Sequence, residues 1–358
     1  MNTIALWYKP KNDSSLEQEE KPQEEKPTVK ININLWKLPL QKNKKRIWKL
    51  LPLNKKKKNY FLDFGILVFD FNYIETIYIH FPFEFSEKHL EDLGPVIKNP
   101  EIVRAIFNEN YSVEDKAELA NGVVITKGTR DKRKDFIIFT TLATTKKISI
   151  RPCSDGTIVE INVPSDNKGI KNGYFRIRIN NIDKQKIKFI QEYKPKNTFF
   201  QSITTATEVI DLRVNEKRNF MPNLIEKINK NKEFGYEKIH FLLIRDISDD
   251  LLFASYEVKG RELETDLWRD YVGNNYILED GVIAYHMKET GEDKNKSANF
   301  LVKIRYFKTN WKIIIIYILS YGIISTLFRV IFKNFTLRIT LPILFVFFVI
   351  ICYLNKKQ

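Results

Sequence analysis

KININLWKL, Lys30–Leu38, is the stretch from which the fold is read. Ile31, Ile33 and Leu35 alternate with polar neighbours, a period of two that suits a strand with one face buried. Downstream, YFLDFGILVFDF from Tyr60 and IETIYIHF ending at Phe81 supply two more strands, rich in aromatic and β-branched residues. After Asn99 the period changes. Asn99 and Pro100 form an N-cap and first-turn pair, and Ile102, Val103, Ile106 and Phe107 recur at the spacing of one helix face.

The middle of the chain is punctuated by Asn121-Gly122, Asp155-Gly156, Asn172-Gly173 and, further on, Asp280-Gly281. Such dipeptides accept the positive φ angles of type I′ hairpin turns. Strand-like segments follow three of them, TIVEINV, YFRIRIN and VIAYHM, and GVVITKG, DFIIFTTLA and KISIRPC add others. Together they predict a mostly antiparallel assembly over residues 121–180, in a sandwich-like or curled arrangement. Beyond it, NLIEKINK (Asn223–Lys230) and GRELETDLWRDY (Gly260–Tyr271) read as helices, and KIHFLLIR (Lys238–Arg245) reads as a buried strand.

The expected organisation has four parts. Residues 1–29 form a disordered leader, because KPKNDSSLEQEEKPQEEKP from Lys9 holds almost nothing apolar to bury. Residues 30–180 form a β-rich cytosolic domain and 181–308 an α+β cytosolic subdomain. Residues 311–354 form a transmembrane helical hairpin. The fold class expected is therefore α+β, a β-rich domain of antiparallel sheets with a two-helix membrane hairpin at its carboxyl end.

The hairpin rests on two uncharged runs. Ile313–Phe328 carries no charge, and apolar character continues past Arg329 to Phe332; the second run is Ile339–Leu354. A helix of about 20 residues crosses the ~30 Å hydrocarbon core. The residues assigned to membrane are Ile313, Gly322, Phe328, Arg329, Arg338, Ile339, Phe347 and Leu354. Cations on the outer flanks, Lys303, Arg305, Lys308, Lys312, Lys356 and Lys357, outnumber Arg329, Lys333 and Arg338 on the turn side, so both termini are expected in the cytoplasm. The expected location is the bacterial inner membrane, multi-pass. Cys153 and Cys352 are the only cysteines, too few for a disulfide framework and consistent with a reducing compartment.

Net charge is +15 and the isoelectric point is near 9.4. That surplus reads as suited to an anionic membrane surface, as general solubility in a lysine-rich proteome, or as suited to nucleic acid. Lys42–Lys58, KNKKRIWKLLPLNKKKK, concentrates it. The stretch reads either as a solvated basic loop or as an interfacial membrane segment.

Chemistry is sparse. The chain has no GxxxxGK[ST] loop, no GxGxxG after a strand, no GxSxG and no HExxH, so the best-marked nucleotide, hydrolase and zinc-protease mechanisms lack local support. His80, His89, His240 and His286 are dispersed, and His80 and His240 read as satisfied strand histidines. No paired Cys/His spacing marks structural zinc. Asp249, Asp250, Glu257 and Lys259 weakly resemble a metal-dependent nuclease pattern, but a charge-alternating strand accounts for the same letters. Cys153, in RPCSDG, reads as a small buried thiol rather than a nucleophile. No catalytic, cofactor or metal residue is assigned.

A β-rich sensor without catalytic motifs, joined to Ile313–Phe332 and Ile339–Leu354, resembles the two-transmembrane effectors of bacterial anti-phage defence, of the retron and cyclic-nucleotide types. The likeness is one of architecture and rests on about a tenth of the chain. It implies an effector whose domain senses a trigger and whose hairpin oligomerises and disrupts the lipid bilayer in abortive infection. A reverse transcriptase with its noncoding RNA, or a nucleotide second messenger, is the implied trigger. The alternatives are a membrane-tethered binding or scaffold protein and a membrane-anchored nuclease.

Overall fold

The computed structural model describes residues 3–11, 26–39, 58–115, 119, 121–127, 135–165, 169–182, 187–193, 205–278, 281–290, 297–308 and 318–326. The chain divides into two compact units, one of residues 1–193 and 207–306, the other of 194–206 and 307–358.

The first unit is built on two large mixed sheets. One runs in the order β16 (Asp250–Ala254), β19 (Ala298–Phe307), β13 (Thr205–Val214), β1 (Thr3–Pro10), β4 (Ile74–Phe81), β10 (Gly156–Asn162) and β9 (Ile148–Cys153). The other runs β17 (Lys259–Glu262), β18 (Val282–Thr290), β15 (Gly235–Asp246), β2 (Thr28–Pro39), β3 (Lys58–Val68), β11 (Asn172–Ile182), β8 (Phe136–Phe139), β7 (Gly122–Thr126) and β6 (Ser112–Glu114). Off these paths, β12 (Ile190–Tyr193) pairs with β13, β14 (Lys232–Glu233) with β1 and β5 (Leu90–Asp92) with β11. Each sheet has a parallel pair at its centre, β1 with β13 and β2 with β15, flanked by antiparallel partners.

Alternation explains how the sheets face each other. On β1, Ile4, Leu6 and Tyr8 join a single apolar core with Val29, Ile31, Ile33 and Leu35 of β2 and with Phe241 and Leu243 of β15. The intervening residues face outward, where helices cover them. Ala5 and Trp7 pack with Leu224 and Ile228 of α3 (Pro222–Asn229) on the first sheet. Trp36 and Phe61 pack with Ile97 of α1 (Gly94–Ile97), Val103 of α2 (Pro100–Phe107) and Trp268 of α4 (Thr265–Val272) on the second. The expected cap of α2 is present, with Asn99 Oδ1 accepting from the Glu101 amide at 2.9 Å.

Several expectations are corrected. Residues Thr3–Pro10, assigned to a disordered leader, form a central strand whose first six side chains are buried. The division at residue 180 falls inside β11, and strands from both sides of it share both sheets. Gly122 and Gly156 are not turn residues of positive φ. They begin strands where another backbone passes too close for a Cβ, which would lie 2.4 Å from the Ile138 carbonyl oxygen and 2.0 Å from that of Phe81 respectively. Gly281 does take the left-handed conformation, at φ 79°.

The membrane hairpin is corrected too. Among the described residues no helix is long and apolar enough to cross a membrane. Of the first apolar run, the described residues are 318–326, and they are helical. The α+β class with a two-helix transmembrane hairpin therefore gives way to a β-rich fold of two mixed sheets. The multi-pass inner-membrane location and both-termini-inside topology lose their structural basis with it. Gly322 lies in the described helix, its carbonyl accepting from Thr326 Oγ1 at 2.7 Å. Ile313, Phe328, Arg329, Arg338, Ile339, Phe347 and Leu354 lie outside the described residues.

Candidate anion-binding face

The outer face of the second sheet is only partly roofed by its helices, and strand register decides what the open part contains. Directly paired residues put their side chains on the same side of a sheet. One row across β2, β15 and β18 is Asn32, His240 and Lys288. The next toward the roofed end is Asn34, Leu242 and His286, extended by Lys259 on β17. The row on the other side is Lys30, Lys238 and Thr290. Ile31, Ile33, Ile239 and Phe241, between these positions, are fully buried in the opposite direction. The alternation that builds the core thus delivers Lys30, Asn32, Lys238, His240, His286, Lys288 and Lys259 to one half-open surface.

At its centre two histidines touch diagonally. His240 Nδ1 and His286 Nε2 are 2.9 Å apart, and the rings stack at 5.2 Å between centroids with 17° between planes. One ring donates and the other accepts, so the accepting imidazole is neutral. Their titration agrees. Burial first, then the charges of His286, Lys288, Lys238 and Lys30, push the His240 pKa down to about 4. His286 is lowered by burial and by Lys288, Lys259 and Arg261. Burial and neighbouring positive charge lead the influences on both rings.

Two of the cations have partners. Lys30 Nζ lies 3.3 Å from Glu237 Oε2 and 4.7 Å from the Phe69 ring centroid, and Arg261 reaches Glu264 at 3.9 Å. Lys238, Lys259 and Lys288 form no ion pair among the described residues. Exposed ammonium groups, a half-open imidazole pair and the Asn32 amide make a set of hydrogen-bond donors suited to phosphate oxygens.

The floor beside this surface is tied together by buried hydrogen bonds. Row by row, β3 and β11 continue it with Gly65 and Arg176 next to Asn32, and with Asp63 and Arg178 next to Asn34. Asp63 accepts from Trp36 Nε1 at 2.9 Å, Arg178 Nε at 2.6 Å and Tyr271 OH at 2.7 Å. Arg176 donates to Tyr271 OH at 2.7 Å and Tyr174 OH at 2.8 Å, and its Nη2 lies 2.7 Å from the Asn34 amide, which accepts once oriented to suit. Gly65 leaves room for this, since a Cβ there would lie 2.3 Å from Tyr174 OH.

The nuclease-like constellation is not assembled. Asp249 is buried and held by Arg245 Nε at 2.8 Å, Asp250 begins β16 in the first sheet, and Lys259 is on β17 in the second. Glu257 is exposed between the two strands. Lys259 instead pairs across from His286. Sequence reading passed over the His240–His286 pair because 46 residues separate them; the usable signal was their position on the polar phase of two strands, KIHFLLIR and VIAYHMK. No family model matches the chain, and no curated protein matches it.

Proposed function

We propose that this protein is a binding module that captures a phosphate-bearing ligand on the outer face of its second sheet. The observation that carries the reading is the strand register that gathers Lys238, Lys288 and Lys259, none of them in an ion pair among the described residues, around the touching His240–His286 pair. Bringing cations together in this way raises their mutual repulsion, and an anion seated among them relieves it. The surplus of +15 over the whole chain draws such ligands from a distance. A domain that recognises a nucleotide or an RNA backbone in this way has the part of a sensor, the role expected for the β-rich region.

The test is equilibrium binding of the full chain to a nucleoside triphosphate and to a single-stranded RNA oligomer, at two salt concentrations. Binding of the triphosphate alone identifies a small-ligand site; RNA binding with a steep salt dependence identifies the backbone as the ligand. Lys238→Ala with Lys288→Ala is expected to weaken either by more than about tenfold. Unchanged affinity in that variant, or no binding of either probe by the native chain, overturns the proposal.

A further inference from the structure

His80 is wholly buried, and its ring nitrogens have no well-directed hydrogen-bond partner, although Asp155 and the Thr3 backbone lie close enough to act on the ring. An imidazole left in this state costs free energy unless something else occupies its lone pair. The histidine sits on β4, paired with Ala5 of β1 and Ile158 of β10, and so faces the outer side of the first sheet with these two, beneath α3. Two further donor groups meet it there. Cys153 ends β9, and Asp155 lies in the two-residue turn that leads into β10. The turn closes on β4 because Gly156 has no Cβ to strike the Phe81 carbonyl.

The separations match the edges of a tetrahedral metal site. His80 Nε2 is 3.3 Å from Asp155 Oδ1, and Cys153 Sγ is 3.4 Å from the same oxygen; one ligand atom from each of the three residues lies within 4.8 Å of the others. A tetrahedral ion with bonds of about 2.0 Å to nitrogen and oxygen and about 2.3 Å to sulfur has N···O and S···O edges of roughly 3.3 and 3.5 Å. His80 Nε2 and Asp155 Oδ1 stand within ion-pair reach but without well-directed hydrogen-bond geometry, as two ligands of one ion would. Asp155 Oδ2 is a second buried atom without a partner.

We propose that His80, Cys153 and Asp155 are three ligands of a tetrahedral zinc-type ion, with the fourth position left to water or an exogenous donor. A thiolate among the donors selects against calcium and magnesium. Charge balances: neutral His80, the Asp155 carboxylate and a Cys153 thiolate offset a divalent ion. Binding forms the metal–sulfur bond as the thiol proton leaves to solvent, one proton per ion.

The experiment loads the metal-stripped full chain with zinc against a chromophoric chelator, and with cobalt as a spectroscopic substitute. Expected are one ion per chain, tetrahedral cobalt bands in the visible, and a thiolate-to-cobalt charge-transfer band. Cys153→Ser removes that band and weakens zinc binding by more than the roughly 10- to 100-fold that loss of an outer partner of a ligand costs. Cys352→Ser, the other cysteine, leaves both unchanged. Asp155→Asn, at the surface turn, gives a second weakened variant if His80→Ala does not fold. No bound ion, cobalt spectra without thiolate character, or full affinity in Cys153→Ser and Asp155→Asn overturns the proposal.

Discussion

Arg245 on β15 donates from Nη1 to Glu208 Oε2 on β13 at 2.7 Å, joining the two sheets through a pair of wholly buried side chains. Lys37 reaches the same oxygen at 3.2 Å, the Tyr60 hydroxyl bonds to it as well, and Asp249 takes Arg245 Nε at 2.8 Å. A buried pair of this kind adds little net stability against its desolvation cost, but removal of one member leaves buried positive charge undercompensated.

Glu208→Gln is therefore expected to destabilise the fold by about 3–5 kcal/mol. The measurement is the denaturant midpoint, with an unchanged slope marking a stability effect rather than a change in the unfolded chain. Adding Arg245→Met should cost less than the sum of the two single changes, with a coupling of about 0.5–3 kcal/mol. Strict additivity would show that the two residues do not act as a unit.

Gly156 and Gly260 make a contrasting pair. A Cβ on Gly156 would lie 2.0 Å from the Phe81 carbonyl oxygen and 3.0 Å from the Phe83 nitrogen, both backbone. Gly156→Ala is expected to cost about 1–3 kcal/mol, as overpacking against atoms that cannot turn aside does. Gly260, on the exposed edge strand β17, has no neighbour nearer than 3.6 Å. Gly260→Ala should stay within about 0.5 kcal/mol of native. Thermal melts of both variants check the contrast, and equal melting points would show that the Phe81 contact is soft.

Much of this architecture could be read from strand phase. In KININLWKL the apolar residues Ile31, Ile33 and Leu35 mark the core face, and Asn99-Pro100 marks a helix start, because both are properties of a few adjacent residues. Long-range pairing was not legible in that way. The parallel partnership of β1 with β13 brings together Thr3 and Arg213, and no local signal in TIALWYKP announces it. Glycines were misread for a related reason: Gly122 and Gly156 are required by a passing backbone, not by their own φ. The same limit applied to both sites. His80 meets Cys153 and His240 meets His286 only once the sheets form, whereas RPCSDG and KIHFLLIR look ordinary in isolation.

Asp63 fastens α4 to the second sheet, since Tyr271 OH, Trp36 Nε1 and Arg178 all donate to it. Arg178 also donates to the Tyr271 and Val272 carbonyls at 3.0 and 3.1 Å, satisfying groups at the helix end. Asp63→Asn is expected to cost about 3–5 kcal/mol. Hydrogen exchange of residues 265–272 should quicken more than that of β1. Uniform acceleration across both elements would mean that α4 is not held separately by this carboxylate.

Anion binding at the His240–His286 pair should be linked to protons, and the sign follows from the charges facing it. In the free protein His240 titrates near pKa 4, held down by burial, His286, Lys288, Lys238 and Lys30. His286 is lowered by burial, Lys288, Lys259 and Arg261. A bound phosphate contributes negative charge beside the imidazoles and raises the pKa of the complex above that of the free protein. Between those two values the complex holds more protons, so affinity rises as pH falls through that window. A phosphodiester oligomer is the right probe, because its own charge is constant there. Binding should tighten between pH 7 and 5 in the native chain, and His240→Gln with His286→Gln should remove most of that slope. Folding stability alone should move the other way. With the folded-state pKa of His240 depressed, the unfolded chain binds more protons between about 6.5 and 4. Stability is thus fully present above the upper value and is lost as pH falls toward the lower. A native binding curve flat in pH, or a slope that survives the double substitution, would remove the histidine pair from the ligand site.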